Sequence, residues 1–143
     1  MTDVKASEPI DAIIVGAGFA GLYMLHRLLQ LGMSARIVQA CAGVGGPWSW
    51  NRFPGARCDI ESLQYSYQFS DDLQQEWQWP ERYSAQPDIL RYANHVADRF
   101  HLRPHITLNT RVQTAHFNEQ TGRWDIAATA QSEAGRVPLR IAL

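Results

Sequence analysis

The chain has 143 residues, of which 45% are hydrophobic and 19% are charged, so one domain with a hydrophobic core is expected. Thirteen Lys and Arg side chains and fourteen Asp and Glu side chains leave a net charge of -1, which favours neither nucleic acid nor an anionic membrane as a partner. Residues 1–10 form a polar leader without the pattern of a signal peptide, and no apolar run has the roughly 18 residues of a membrane span. We therefore predict a cytoplasmic protein without a membrane contact.

The first elements after the leader are predicted to be a strand, a helix and a second strand. The run "AIIVGAGFAG" begins with branched apolar residues and continues into a glycine turn, and "FAGLYMLHRLLQLG" has leucines at helical spacing up to Gly32. A second apolar strand follows as "ARIVQA". Residues 11–40 therefore have the size of a parallel crossover, which predicts the start of an α/β fold.

The segment from Cys41 to Pro80 is rich in glycine, proline and aromatic residues, and only "IESLQYSYQF" favours a short helix there. A long irregular segment of this kind is typical of a functional loop. Pro87 then marks the start of a helix that covers the sheet, with one apolar face formed by Ile89, Ala93, Val96, Ala97 and Phe100.

The last part of the chain is predicted to be an antiparallel β-meander. The runs "TRVQTAHFN", "RWDIAATA" and "RVPLRIAL" are separated by turn residues at 119–122 and 133–135. Residues 11–143 are thus expected to form one α/β unit with a parallel sheet, a covering helix and a meander.

The glycine turn between the first strand and the helix carries the clearest functional signal. Gly16, Gly18 and Gly21 follow the G-x-G-x-x-G pattern, in which the glycines permit a tight turn, a close approach of a pyrophosphate and close helix packing. The alternative is a tight turn of small residues without a ligand. Because strand, turn and helix follow in the right order, a dinucleotide site is favoured, and Phe19 belongs to it. Gln39 stands where an acid usually holds the ribose, so a neutral amide is expected to bind the ribose more weakly.

Longer motifs follow the glycine turn, namely "GVGGPWSWNRFPGARCDIES" and "YSYQFSDDLQQEWQWPERYSAQPDILRYANHVADRF". With these motifs the chain closely resembles flavin-dependent Baeyer-Villiger monooxygenases of the cyclohexanone and phenylacetone monooxygenase type, from about Asp11 to Asp125. The resemblance implies that residues 11–143 form part of an FAD-binding Rossmann-like domain. It assigns flavin or adenine contacts to Gly46, Pro47, Trp48, Trp50, Tyr65 and Val112.

The same resemblance assigns the catalytic residues. Asp59 corresponds to an aspartate beside the flavin that orients an active-site arginine, and Arg57 is grouped with it. Such an arginine stabilises developing negative charge, and it needs a carboxylate to orient it. The alternative from the residues alone is that Asp59 and Arg57 form an ordinary surface ion pair.

Three positions depart from the pattern of this family. Gln39 replaces the usual glutamate, and Pro47 and Ser49 stand where a small or β-branched residue and a tyrosine are usual. Pro47 also removes a main-chain donor beside the flavin. Each departure is expected to weaken the flavin site.

Several parts of the family pattern are not found in the sequence. It has no second G-x-G-x-x-G motif after residue 21, so we expect only the first part of a discontinuous FAD domain, without the NADPH domain. Alone it would be inactive as a monooxygenase. NADPH, O₂ and a small organic substrate would be used only with a complementing protein chain, and exposed apolar surface would favour that chain or a homodimer. The alternatives are a non-redox binding or cyclisation scaffold and a truncated, inactive product, which leaves enzymatic activity open.

The histidines and cysteines do not have the spacing of a metal site. His101 and His105 are four positions apart, but Pro104 argues against a helix that presents both. Cys41 and Cys58 lack a CxxC spacing. No metal is expected.

Overall fold

The computed structural model describes residues 10–132 and 135–142, with side chains to residue 131. A parallel sheet is formed by β1 (Ala12–Val15), β2 (Ala35–Val38) and β3 (Ile106–Thr107), in the order β1-β2-β3. Ala12 lies opposite Ala35, and Ile37 lies opposite Ile106. The α/β fold class and the parallel sheet are thereby confirmed.

Helix α1 (Phe19–Gln30) connects the first two strands. Two short helices, α2 (Pro47–Trp50) and α3 (Asp71–Glu76), lie in the long irregular segment, and α4 (Gln86–Arg99) follows it. The short helix predicted within residues 60–69 is not formed, since this segment consists of turns and bends. Helix α4 begins at Gln86, one residue before the predicted start, and Pro87 occupies its first turn.

The antiparallel meander is formed by β4 (Thr110–Asn118), β5 (Arg123–Ser132) and β6 (Gly135–Ala142). Thr110 lies opposite Ala130, and Ser132 lies opposite Gly135. The predicted meander and its first turn are confirmed. Residues 133 and 134 of the second turn, and residues 1–9 of the leader, lie outside the described residues.

The main hydrophobic core lies between α1, the parallel sheet and α4. It contains fully buried side chains from each of these elements, including Leu22, Leu25, Ile37, Ala93 and Ala97. A second cluster, formed by Leu73, Tyr92 and Val96, packs the aromatic residues of the irregular segment against α4. The predicted apolar face of α4 is therefore the face that holds this segment and the sheet together.

Among the described residues, β1 pairs on one side only, with β2. Val15 at the end of this strand is 69% exposed, as is Leu31 after α1. The apolar surface expected from the sequence is thus present beside this edge, while the expected association remains a prediction. Every helix in the described part of the chain is too short or too polar to cross a lipid bilayer.

His26 of α1 packs between two aromatic rings, with its ring centroid 4.8 Å from that of Phe69 and 4.5 Å from that of Phe100. Burial, and to a lesser extent the neighbouring charge of Arg27, lowers the pKa of His26 below its usual value. The neutral imidazole is therefore favoured in the folded chain. Its contribution to stability is present above the ordinary histidine pKa and is lost as the pH falls through the lowered pKa.

We expect the free energy of unfolding to fall between about pH 8 and about pH 5, and to fall less in His26→Phe, which keeps an aromatic ring without a titrating group. Carboxylates such as Asp98, whose pKa is lowered by its hydrogen bond with Arg103, take up protons at lower pH. Their effect on the free energy of unfolding is the same in the wild type and in His26→Phe. Urea unfolding at the two pH values measures the difference. Equal losses in the wild type and in His26→Phe would contradict this role of His26.

Candidate functional site

The glycine turn joins the end of β1 to the start of α1. The Gly16 amide donates to the Val38 carbonyl over 3.0 Å, and Gly16 has a φ of 101°, which a residue with a side chain rarely adopts. A Cβ added to Gly21 would lie 2.0 Å from the Gly16 carbonyl oxygen. The helix is therefore held against the turn at a distance that only glycine permits at this position.

Helix α1 begins without a side-chain cap. Gly18 is its N-cap residue, no side chain accepts from the first turn, and that turn contains no acidic residue. The free amides and the helix dipole make this end of α1 favourable for an anion such as a pyrophosphate. The geometry of Gly16, Gly18 and Gly21 thus fits the ligand that the sequence predicts.

A second glycine loop lies against the first. Gly45 and Gly46 have φ values of 116° and 57°, and the Gly45 amide donates to the Ala17 carbonyl over 2.9 Å. A Cβ added to Gly46 would lie 3.0 Å from the Cα of Gly18. The two loops therefore meet through their main chains beside the start of α1, and this junction of Gly18 and Gly46 is called the cradle below. Gly45 was not singled out from the sequence, although its place in "GVGG" signals such a close approach.

Gln39 lies directly after β2, and its side chain points into the fold. Only 5% of the residue is exposed. Its Oε1 accepts from the Ala17 amide over 2.9 Å, and its Nε2 donates to the Gly43 carbonyl over 3.2 Å. The contact of Gln39 with a ribose remains a prediction. In this structure both ends of its amide are already bonded to the two glycine loops.

Three of the aromatic residues assigned to the cofactor lie together. The Trp48 Nε1 donates to the Tyr65 hydroxyl over 2.7 Å, and their rings meet edge to face with centroids 5.7 Å apart. The rings of Phe19 and Tyr65 are 5.3 Å apart. The Gln86 side chain donates to the Trp48 carbonyl and links α2 to the start of α4. Gln86 was missed in the sequence, where nothing distinguishes it from other glutamines.

Pro47 and Trp50 occupy the two ends of α2. Proline suits the first position of a helix, because an amide there would have no partner within the helix. Pro47 therefore starts α2 without disturbing it, while it still offers no donor to a ligand. Trp50 is 63% exposed and does not join the ring cluster of Phe19, Trp48 and Tyr65.

Tyr67 fixes the first turn of α1 from the outside. Its hydroxyl donates to the Phe19 carbonyl, and its amide donates to the Tyr92 hydroxyl over 2.9 Å. Burial raises the pKa of Tyr67 far above its usual range, so the phenol remains a neutral donor. This tyrosine belongs to "YSYQF", where its position two residues after Tyr65 gives no sign of its role.

Arg57 and Asp59 do not pair with each other. Arg57 forms an ion pair with Glu81 over 3.0 Å and also donates to the Tyr83 carbonyl over 2.9 Å. Asp59 is exposed, and its carboxylate has no hydrogen bond or ion pair within the described part of the chain. The alternative that Arg57 and Asp59 form a surface ion pair with each other is therefore wrong. The Asp59 carboxylate is available to a cation from elsewhere.

Val112 lies in β4, two residues after Thr110, whose amide donates to the Gln39 carbonyl over 2.8 Å. The pairing of β4 with β5 shifts between Val112 and Thr114, which marks a bulge at this point. Val112 thus lies on the strand whose first residue, Thr110, is bonded to Gln39. Its contact with an adenine remains a prediction.

Comparison with known proteins gives a consistent result. Residues 14–75 match the family described as NAD(P)-binding Rossmann-like domain. A Baeyer-Villiger monooxygenase from Pseudooceanicola batsensis is 45% identical over 117 residues, which are 81% of this chain and 22% of that protein. The chain is a homologue of the Baeyer-Villiger monooxygenases. The resemblance predicted from the sequence motifs is thereby confirmed.

Further relatives agree with this assignment. An acetone monooxygenase (methyl acetate-forming) from Gordonia sp. (strain TY-5) is 44% identical over 121 residues, which are 85% of this chain and 23% of that protein. The solved structure of an oxidized steroid monooxygenase bound to NADP has 48% identity and a TM-score of 0.85, over 94% of this chain and 24% of that one. The 143 residues thus span about a quarter of the length of these relatives, and the fold of the chain matches the corresponding part of the steroid monooxygenase structure.

Proposed function

We propose that this chain forms the FAD-binding portion of a Baeyer-Villiger-type flavin monooxygenase. The observation that carries the proposal is the cradle between Gly18 and Gly46 at the uncapped start of α1, where a Cβ on Gly46 would lie 3.0 Å from the opposite main chain. A pyrophosphate suits this position because it accepts from helical amides and needs close approach of the main chain. Two relatives are named FAD-binding monooxygenases, which supports FAD as the dinucleotide.

The adjacent side chains suit the flavin part of this cofactor. Trp48 and Tyr65 hold each other by a hydrogen bond of 2.7 Å, and Phe19 packs against Tyr65 at the first turn of α1. These rings offer a fixed, partly apolar surface next to Gly46 and Pro47. When bound, FAD supplies the redox chemistry, and these residues orient it and limit the access of water.

Asp59 is proposed to orient a catalytic cation. Its carboxylate is exposed and without a partner in the described residues, whereas Arg57 is held by Glu81. We therefore propose that the arginine that Asp59 orients comes from sequence beyond these 143 residues, in the same polypeptide or in another one. Arg57 acts as a structural residue that fixes the loop containing Asp59.

The NADPH-binding part and most of the substrate pocket are proposed to come from that further sequence as well. The chain corresponds to about a quarter of its relatives, with 23% of the Gordonia protein covered. These 143 residues then bind FAD without oxidising NADPH. A complementing chain, or a second copy at the exposed edge of β1, is the partner we propose, and the substrate is a small organic molecule.

The proposal is tested by titrating the purified chain with FAD and, separately, with FMN. Binding is measured in each titration from the quenching of flavin fluorescence. FMN has one phosphate and no adenosine, so we expect FAD to bind about tenfold or more tightly, and we expect no NADPH oxidation by the FAD-loaded chain. Equal binding of the two would contradict a dinucleotide site at the glycine turn. Binding of neither by folded protein would favour a non-redox scaffold derived from a flavin domain.

A further inference from the structure

Gln39 connects four segments of the chain. Its main-chain amide donates to the Thr107 carbonyl and its carbonyl accepts from the Thr110 amide, both over 2.8 Å. Its side chain bonds to Ala17 in the glycine turn and to Gly43 in the loop of residues 41–46. These bonds fix where the residue lies and in which direction its side chain points.

The two side-chain bonds require an amide at position 39. The Ala17 amide is a donor, so the atom that faces it must be an acceptor, and the Gly43 carbonyl is an acceptor, so the atom that faces it must be a donor. Glutamine is the residue of this length that offers one of each. A glutamate has two acceptors when ionised, and its second oxygen would stand against the Gly43 oxygen.

An acid at this position of a dinucleotide-binding fold usually bonds the ribose hydroxyls. A carboxylate that cannot stay against Gly43 is free to turn toward such a ligand. The Gln39 amide is instead 5% exposed and already bonded at both ends. A ribose contact would therefore require at least one of these bonds to break.

We propose that Gln39 is a positioning residue that holds the glycine turn and the loop of residues 41–46 together before any nucleotide binds, and that it is not a ribose ligand. The cradle between Gly18 and Gly46 is then organised in the ligand-free chain. The statement about the ribose rests on the proposed function, whereas the link between the two loops does not.

The test compares the wild type with Gln39→Glu and with the control Gln39→Leu, which removes both bonds and adds no acceptor. We expect both variants to have a lower unfolding midpoint in the absence of nucleotide. For FAD we expect opposite changes: Gln39→Glu binds about tenfold more tightly, because a charged acceptor is released toward the ribose, and Gln39→Leu binds more weakly. A residue with only a structural role would not separate stability from affinity in this way.

Hydrogen exchange of the Ala17 amide tests the link in the wild type alone, so it does not depend on a variant that folds. We expect this amide to exchange on the order of a hundredfold more slowly than an unprotected one in nucleotide-free protein. Free exchange would overturn the link, and a parallel loss of stability and FAD affinity in Gln39→Glu would overturn the statement about the ribose. If neither the wild type nor the two variants bind FAD, but the Ala17 amide of the wild type is protected, the proposed function fails. The link between Gln39 and the glycine turn then still stands.

Discussion

Substitution of Gly21 by alanine is expected to destabilise the chain by about 3 kcal/mol or more. The added Cβ would lie 2.0 Å from the Gly16 carbonyl oxygen and 3.2 Å from its carbon, and both neighbours are main-chain atoms. Gly16 cannot move aside, because its amide is bonded to Val38 of the central strand β2. Helix α1 would have to shift away from the sheet, and its buried residues Leu22 and Leu25 would lose contacts in the core.

Gly43→Ala is the matched control for this prediction. A Cβ at Gly43 would meet no atom within 4 Å, and Gly43 is not among the glycines with positive φ. Its stability should lie within about 0.5 kcal/mol of the wild type, because the added methyl group meets no neighbour and needs no positive φ. Urea unfolding of the three proteins gives both values. A Gly21→Ala protein as stable as Gly43→Ala would show that α1 does not depend on close contact with the glycine turn.

Substitution of Gly18 by alanine is expected to weaken FAD binding about a hundredfold while the chain stays folded. Gly18 has a φ of -79° and a ψ of -174°, a conformation that alanine adopts without strain. The new Cβ would lie 3.5 Å from the Cα of Gly46, which is an ordinary contact. The methyl group would instead stand at the cradle beside the start of α1, where we propose that the pyrophosphate approaches the main chain.

The two glycines thus separate folding from binding. Titration of Gly18→Ala with FAD, with its unfolding midpoint measured beside it, gives the affinity and the stability of the same sample. Gly43→Ala again provides a glycine-to-alanine change, in which the added Cβ meets no atom within 4 Å and the main-chain carbonyl bonded to Gln39 is unchanged. If Gly18→Ala bound FAD as the wild type does, the dinucleotide could not lie against Gly18, and the site would have to be sought elsewhere.

The parts of the fold that could be predicted are those whose pattern is long or strongly periodic. Strand β4 was predicted with the bounds it has, and α4 was predicted from its apolar face. Strand β3 was missed because Ile106 and Thr107 are too short a run to show a period, and only their pairing with β2 defines them. Helix α3 was missed although Ser70 caps it, with its hydroxyl accepting from the Leu73 amide over 3.2 Å. The sequence Ser-Asp-Asp could have indicated that start.

The site was predictable where it depends on local motifs and unpredictable where it depends on distant partners. The glycine turn follows from the order of strand, turn and helix. The orientation of the Gln39 side chain depends on the position of the Gly43 carbonyl, and only the folded loop determines that position. Arg57 was grouped with its neighbour Asp59, but its partner Glu81 lies 24 positions along the chain and reaches it through the fold of the irregular segment.

The most direct test of the account is whether the chain retains FAD. The purified protein is incubated with FAD and passed through gel filtration, with flavin absorbance and apparent mass recorded together, and Gly18→Ala is treated in the same way. We predict that flavin elutes with the wild-type protein and not with Gly18→Ala. Flavin found only in the small-molecule fractions, from wild-type protein that elutes folded, would contradict the proposal that these residues form an FAD site.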